Sequence, residues 1–132
     1  MKKIIVLLSA ILLLTGCGEK EYFNQIYLED MKAYMEEDKD GFVLLVTDND
    51  ESFQSYVKDV AESEEVEIVM YNVYESEKGA QDGQPAVPYE EFNRFSELYY
   101  VADNKARGSL RVKDYEGTKL TEEIKNFVNL HK

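Results

Sequence analysis

From residue 4 to residue 14 the chain is apolar except for Ser9, and Lys2 and Lys3 stand in front of this run. The run is too short to cross a bilayer as a helix and ends in small residues, the pattern of an export signal. Beyond it, Phe23, Ile26, Tyr27, Met31, Tyr34 and Met35 recur at three- and four-residue spacing, with Glu29, Lys32, Glu36 and Glu37 on the other side. That spacing predicts one amphipathic helix over residues 19–38, ended by Asp38, Lys39, Asp40 and Gly41. Residues 42–47 are a continuous apolar run closed by Thr47, too short for a helix and rich in valine, hence a strand buried on both faces. Asp48, Asn49, Asp50 and Glu51 then start a helix. Asp48 and Glu51 have capping-box spacing, and carboxylates suit the positive end of a helix dipole. This helix runs to about Glu62 and buries Phe53, Tyr56, Val57, Val60 and Ala61. Residues 66–74 form the next strand, with Val66, Ile68 and Met70 on one face and Val69, Tyr71 and Val73 on the other. Two doubly buried strands joined by such a helix make a right-handed βαβ unit with the strands parallel.

The second half is less regular. Residues 75–88 are polar, hold Gly79, Gly83, Pro85 and Pro88, and read as a mobile loop. Residues 89–95 predict one or two helical turns, and residues 98–102 a third strand, turned at Asp103, Asn104 and Lys105. Residues 109–115 alternate as a fourth strand, Leu110 and Val112 inward and Arg111 and Lys113 outward, which suits an edge protected by charge. Thr121 is expected to cap a last helix, with Glu122 and Glu123 in its first turn and Ile124, Phe127 and Val128 facing the core.

Leu14, Thr15, Gly16 and Cys17 follow the apolar run directly, and this tetrad resembles the lipobox of bacterial lipoproteins. The resemblance implies a diacylglyceryl group on the Cys17 thiol and cleavage just before it. Residues 1–16 are then removed and residues 17–132 remain as one domain, outside the cytoplasm and held to the cell membrane by lipid. The competing reading is an ordinary secretory signal, or an amphipathic tail, with Cys17 incidental. Removing residues 1–16 of the 132 leaves 116, enough for one core that needs no metal or disulfide. The remaining chain has 13 basic and 27 acidic residues, a net charge of −14. Such a body repels nucleic acid, and repels an anionic membrane surface as well, so attachment falls to the lipid. Cys17 is the only cysteine, so once lipidated it leaves no thiol for disulfide exchange or nucleophilic catalysis.

The order helix, strand, helix, strand, short helix, strand, hairpin, strand, helix resembles the thioredoxin fold over about residues 19–131. An α/β domain is therefore expected, with a central mixed sheet of about four strands flanked by helices. The spacing is most similar to thioredoxin-like proteins of the bacteriocin-accessory type. Thioredoxins carry Cys-x-x-Cys where the first βα turn enters its helix, because the helix N-terminus lowers a thiol pKa there. This chain has Thr47, Asp48, Asn49, Asp50, Glu51 and Ser52 in that place. The proline that precedes the third strand of that fold is replaced by Ser96 or Glu97. No catalytic residue carries over, and a non-enzymatic, redox-inactive binding or accessory module at the envelope is the expectation, with a protein partner and no cofactor. The alternatives are a small immunity or exclusion lipoprotein, a thiol-disulfide oxidoreductase relative using an unlipidated Cys17, and a weak calcium-binding protein.

Candidate contacts are few. Asp48, Asp50, Glu51 and Ser52 lie in the βα turn, where capping and solvation explain them as well as a ligand does. Ser52 has no histidine base, since the sole His131 falls at a frayed C-terminus. Glu36, Asp38, Asp40 and Gly41 have the spacing of half a calcium loop, but Thr47 stands where that loop requires glutamate. No metal site is assigned. Lys105, Arg107, Arg111 and Lys113 form a basic patch, accounted for by edge protection or by an anionic contact. Tyr89 and Phe92 beside the loop are candidates for a partner surface.

Overall fold

A computed structural model describes residues 21–47 and 51–132. Five strands and three α-helices follow in the order β1 (Phe23–Ile26), α1 (Leu28–Glu36), β2 (Gly41–Val46), α2 (Gln54–Ser63), β3 (Ile68–Asn72), β4 (Glu97–Ala102), β5 (Lys105–Arg111) and α3 (Gly117–His131), with a 3-10 turn at Val112–Asp114 before α3. The strands form one mixed sheet in the order β1-β3-β2-β4-β5. Parallel pairing joins β1 to β3 and β2 to β3, whereas β2–β4 and β4–β5 are antiparallel. The expected mixed sheet flanked by helices is present, with one strand more than the pattern suggested.

Alternation in the two central strands builds the core. Phe42, Leu44, Val46, Ile68 and Leu98 pack on one face with Val57, Val60 and Ala61 of α2 and Leu120, Ile124, Phe127 and Val128 of α3. Val43, Leu45, Val69, Tyr71, Tyr99 and Val101 pack on the other with Met31, Tyr34 and Met35 of α1 and with Phe92. The β2–α2–β3 unit is parallel, in the register Phe42 to Ile68 through Val46 to Asn72. Asp103 and Asn104 turn the β4–β5 hairpin with φ of 54° and 60°. Positive φ at both central residues matches the right-handed twist of the paired strands.

Several expectations give way. The predicted helix over residues 19–38 is two elements, because Phe23–Ile26 extends and pairs with β3 as an edge strand. Asp30 marks the break: its carboxylate accepts the Tyr27 N–H at 2.9 Å and starts α1 afterwards. Residues 89–95 make one turn, with Phe92 N–H donating to the Tyr89 carbonyl at 3.1 Å, and no helix. The segment after β3 is tied down: Leu28 N–H donates to Ser76 O at 2.9 Å, Asp82 N–H to Tyr74 O at 2.8 Å and Ala86 N–H to Val73 O at 2.8 Å. The strand expected at residues 109–115 begins at Lys105 and stops at Arg111, which places Lys113 in the 3-10 turn. Glu116, not Thr121, occupies the N-cap of α3, so Thr121, Glu122 and Glu123 lie within the helix.

The parallel strands give the sheet two distinct ends. Phe23, Gly41 and Ile68, the 103–104 turn and the C-termini of α1, α2 and α3 lie at the near end, closest along the chain to Cys17. Val46, Asn72, Glu97 and Arg111 lie at the far end, with the N-termini of α2 and α3.

Candidate functional site

Asp48 and Asp50 lie outside the described residues. Glu51 and Ser52 are exposed at the far end, ahead of an α2 whose N-cap, Phe53, makes no side-chain capping bond. Ser52 lines a cleft of about 400 Å³ with Phe53, Tyr56, Val112, Lys113 and Tyr115. The fold thus brings Ser52 and Lys113 together across the α2 and α3 N-termini. Ser96, next to this end, is buried, holds φ at 59° and donates its N–H to the Leu45 carbonyl at 2.8 Å.

The four basic residues do not form one patch. Lys105 and Arg107 stand at the near end of β5, and Arg111 and Lys113 at the far end. Arg107 pairs with Asp103 at 3.3 Å and donates to the Ala102 carbonyl at 3.4 Å. Arg111 reaches Asp114 at 3.5 Å and Glu97 at 4.0 Å. Local pairing consumes half the positive charge that the sequence advertised.

Phe92 is fully buried and meets the Tyr99 ring edge-on at 5.0 Å, so it is a core residue and offers no surface to a partner. Tyr89 is half-buried; its hydroxyl donates to the Glu36 carboxylate at 2.6 Å, which ties the 85–95 segment to α1. This hydrogen bond, helped by burial and by the Glu36 charge, pushes the Tyr89 phenol up to about 12. Asp38 and Asp40 also serve the fold: Asp38 N–H donates to Asn104 Oδ1 at 2.8 Å, and Asp40 Oδ1 accepts the Asp103 N–H at 3.3 Å. Among the described residues no group of three or more His, Cys, Asp or Glu side chains is placed to hold a metal ion.

His131 is no frayed tail. It ends α3 with its ring stacked on Tyr100 at 4.7 Å and against Phe127 at 4.8 Å, directly over Gly108. A Cβ at Gly108 would stand 2.9 Å from His131 Nε2, so any side chain there would displace the stacked ring.

One group that sequence reasoning missed is Glu97. Its side chain is 3 % exposed, and Oε1 has no hydrogen-bond partner. It borders a cavity of about 250 Å³ together with Arg94, Tyr99, Arg107 and Ser109. The Tyr99 hydroxyl is already engaged, accepting the Arg94 N–H at 3.1 Å and donating to the Arg94 carbonyl at 3.0 Å. A glutamate just before an apolar run looks like a polar strand end. Only the pairing of Glu97 with Leu45 and Arg111 places it inside the sheet.

Cys17 lies outside the described residues, and there a comparison with known families speaks. Residues 1–17 match the model of the prokaryotic membrane lipoprotein lipid attachment site. No curated protein matches the chain. Among the described residues no helix is long and apolar enough to cross a membrane. The attachment site makes the chain a bacterial lipoprotein, anchored in the membrane by lipid and facing outside the cytoplasm.

Proposed function

We propose that this lipoprotein is an extracytoplasmic binding or accessory module on a thioredoxin-like scaffold, without redox or other enzymatic activity. The observation that carries the reading is the βα turn between β2 and α2. Thr47, Asp48, Asn49, Asp50, Glu51 and Ser52 occupy the place where thioredoxins hold their two reactive cysteines, and Cys17 is the only cysteine of the chain. Disulfide exchange needs a thiolate attacking a disulfide sulfur, and a lipidated thiol cannot do this. The scaffold assignment draws support from the parallel β2–α2–β3 unit followed by the β4–β5 hairpin and a closing helix. Its spacing remains most similar to the bacteriocin-accessory type. The contact surface in this reading is the far end, where Glu51, Ser52, Arg111 and Lys113 are all exposed.

Two measurements test the proposal together. The lipidated protein should show no disulfide-reductase turnover, and measurable turnover contradicts it. Purified envelope components should include one that binds saturably and loses affinity when Ser52 and Lys113 are both replaced by alanine. Binding indifferent to those positions moves the contact elsewhere and defeats the assignment of the surface.

A further inference from the structure

Glu97 is the one buried carboxylate whose surroundings do not account for it among the described residues. Its Oε1 accepts no hydrogen bond, and its nearest cation, Arg111 Nη1, stands at 4.0 Å, beyond hydrogen-bond reach. Arg111 itself lies closer to Asp114, at 3.5 Å. A buried carboxylate oxygen that accepts no hydrogen bond and has its counter-ion no nearer than 4.0 Å is costly, and an apolar side chain in the same place would avoid that cost. Glu97 pairs with Leu45 and lies on the same face of the sheet as Tyr99, so an apolar residue would suit the position. The cavity beside it supplies the missing context. On the wall opposite in character is Arg94, exposed, whose guanidinium makes no hydrogen bond or ion pair among the described residues.

We propose that this cavity binds a small zwitterion, its ammonium group donating to Glu97 and its anionic group accepting from Arg94. A simple cation would meet the repulsion of Arg94 and Arg107, and a simple anion that of Glu97 and Glu91, whereas a molecule bearing both charges satisfies both walls. The volume of about 250 Å³ lies below the usual range for drug-sized ligands, roughly 300–1,000 Å³, and suits a molecule of amino-acid size. Charge-assisted hydrogen bonds to a largely buried carboxylate are among the stronger polar contacts. The same pair of charges occurs in a free amino acid and in an ethanolamine phospholipid headgroup. The site does not depend on the protein-partner reading, since Glu97 and Arg94 belong to neither the βα turn nor the Ser52–Lys113 cleft.

The test is calorimetric titration of the mature lipidated protein in detergent with L-alanine, glycerophosphoethanolamine, ethylammonium and acetate. Saturable binding of a zwitterion is expected, with ethylammonium and acetate each about tenfold weaker or more, the loss of one charge-assisted contact. Tighter binding of alanine identifies a free amino acid as the source, and tighter binding of glycerophosphoethanolamine a headgroup; either upholds the site. Glu97→Gln and Arg94→Gln should each weaken binding by about tenfold or more. Arg94→Gln changes an exposed side chain, so it keeps the test valid if Glu97→Gln perturbs folding. Ethylammonium binding as tightly as alanine reduces the site to a plain cation pocket, and no saturable heat at millimolar ligand removes it; either result overturns the proposal.

Discussion

The lipid anchor has a geometric consequence that labelling can test. Cys17 precedes Phe23, the first residue of β1, by six residues. A chain spans at most about 3.3–3.6 Å per residue, so the near end of the sheet is held within roughly 20 Å of the lipidated sulfur. Turning the domain over would require this tether to climb the full height of the sheet and its end loops, a distance larger than its reach. The near end therefore faces the membrane. Lys105 begins β5 and Lys113 lies in the 3-10 turn just past its other end; both are exposed and both lysine, so replacing either by cysteine changes the charge equally. At about 3.3 Å per strand residue and about 2 Å per 3-10 residue, they lie roughly 20–25 Å apart along the sheet. Because Cys17 carries lipid, the introduced cysteine is the one free thiol for a fluorophore. In vesicles carrying nitroxide-labelled headgroups, the label at 105 should be quenched far more than the label at 113. Inserting about ten Gly/Ser residues after Gly18 extends the maximum reach to roughly 55 Å and should erase the contrast. Equal quenching at both sites with the native tether, or stronger quenching at 113, refutes the orientation.

Three further outcomes follow from the same observations. Cys17→Ser should move the protein from the membrane fraction to the soluble envelope fraction, and retention in the membrane after signal cleavage contradicts lipid anchoring. Phe92→Ala removes a fully buried ring that joins the 85–95 segment to the sheet; it should destabilise the domain by about 3–5 kcal/mol in urea denaturation, while an effect under about 1 kcal/mol denies that segment a place in the core. Three tyrosines hold their protons in the folded state: burial pushes Tyr34 and Tyr71 up to about 12, and the Glu36 hydrogen bond does the same for Tyr89. Since the folded pKa lies above the ordinary 10.0, this stabilisation is complete below about pH 10 and lost as pH rises through about 12. Tyrosinate absorbance should therefore develop in two stages, the late one coinciding with unfolding, and a single early step for all ten tyrosines would contradict these environments.

What local pattern could specify, it specified well. In β2 and β3 nearly every side chain is apolar, and the two parities predicted for residues 66–74 go to the two separate cores. Asp103 and Asn104 tolerate positive φ, so the hairpin was legible at its turn. β1 was not, because Phe23, Ile26 and Tyr27 satisfy helical spacing as readily as a four-residue strand. Only pairing with β3 decides between them. The 75–88 segment has loop composition, yet its backbone is tied to Leu28, Val73 and Tyr74 by contacts that no local rule encodes. His131 and Glu97 fail for a related reason. The first acquires its role from Tyr100 and Gly108, and the second from Leu45 and Arg111, all brought close by the sheet.

Orientation and charge together limit how a partner can approach. The near end carries Glu37, Asp38, Asp40, Glu65 and Asp103, all exposed, within reach of the lipid surface. Lys39, Lys105 and Arg107 share that end and offset part of this charge, and what remains acts over a Debye length of about 8 Å at physiological salt. With the near end towards the bilayer, the far-end residues Ser52, Arg111 and Lys113 point into the extracytoplasmic space. A soluble or membrane-bound partner meets these first, in a thin layer where tethering raises the local concentration. Contacts too weak to hold two free molecules suffice in such a layer, so an accessory module of the proposed kind would need a surface of modest size and not a deep groove. Severing the anchor while leaving the far end intact should therefore abolish association with a membrane-bound partner but only slightly change the affinity of the isolated surfaces.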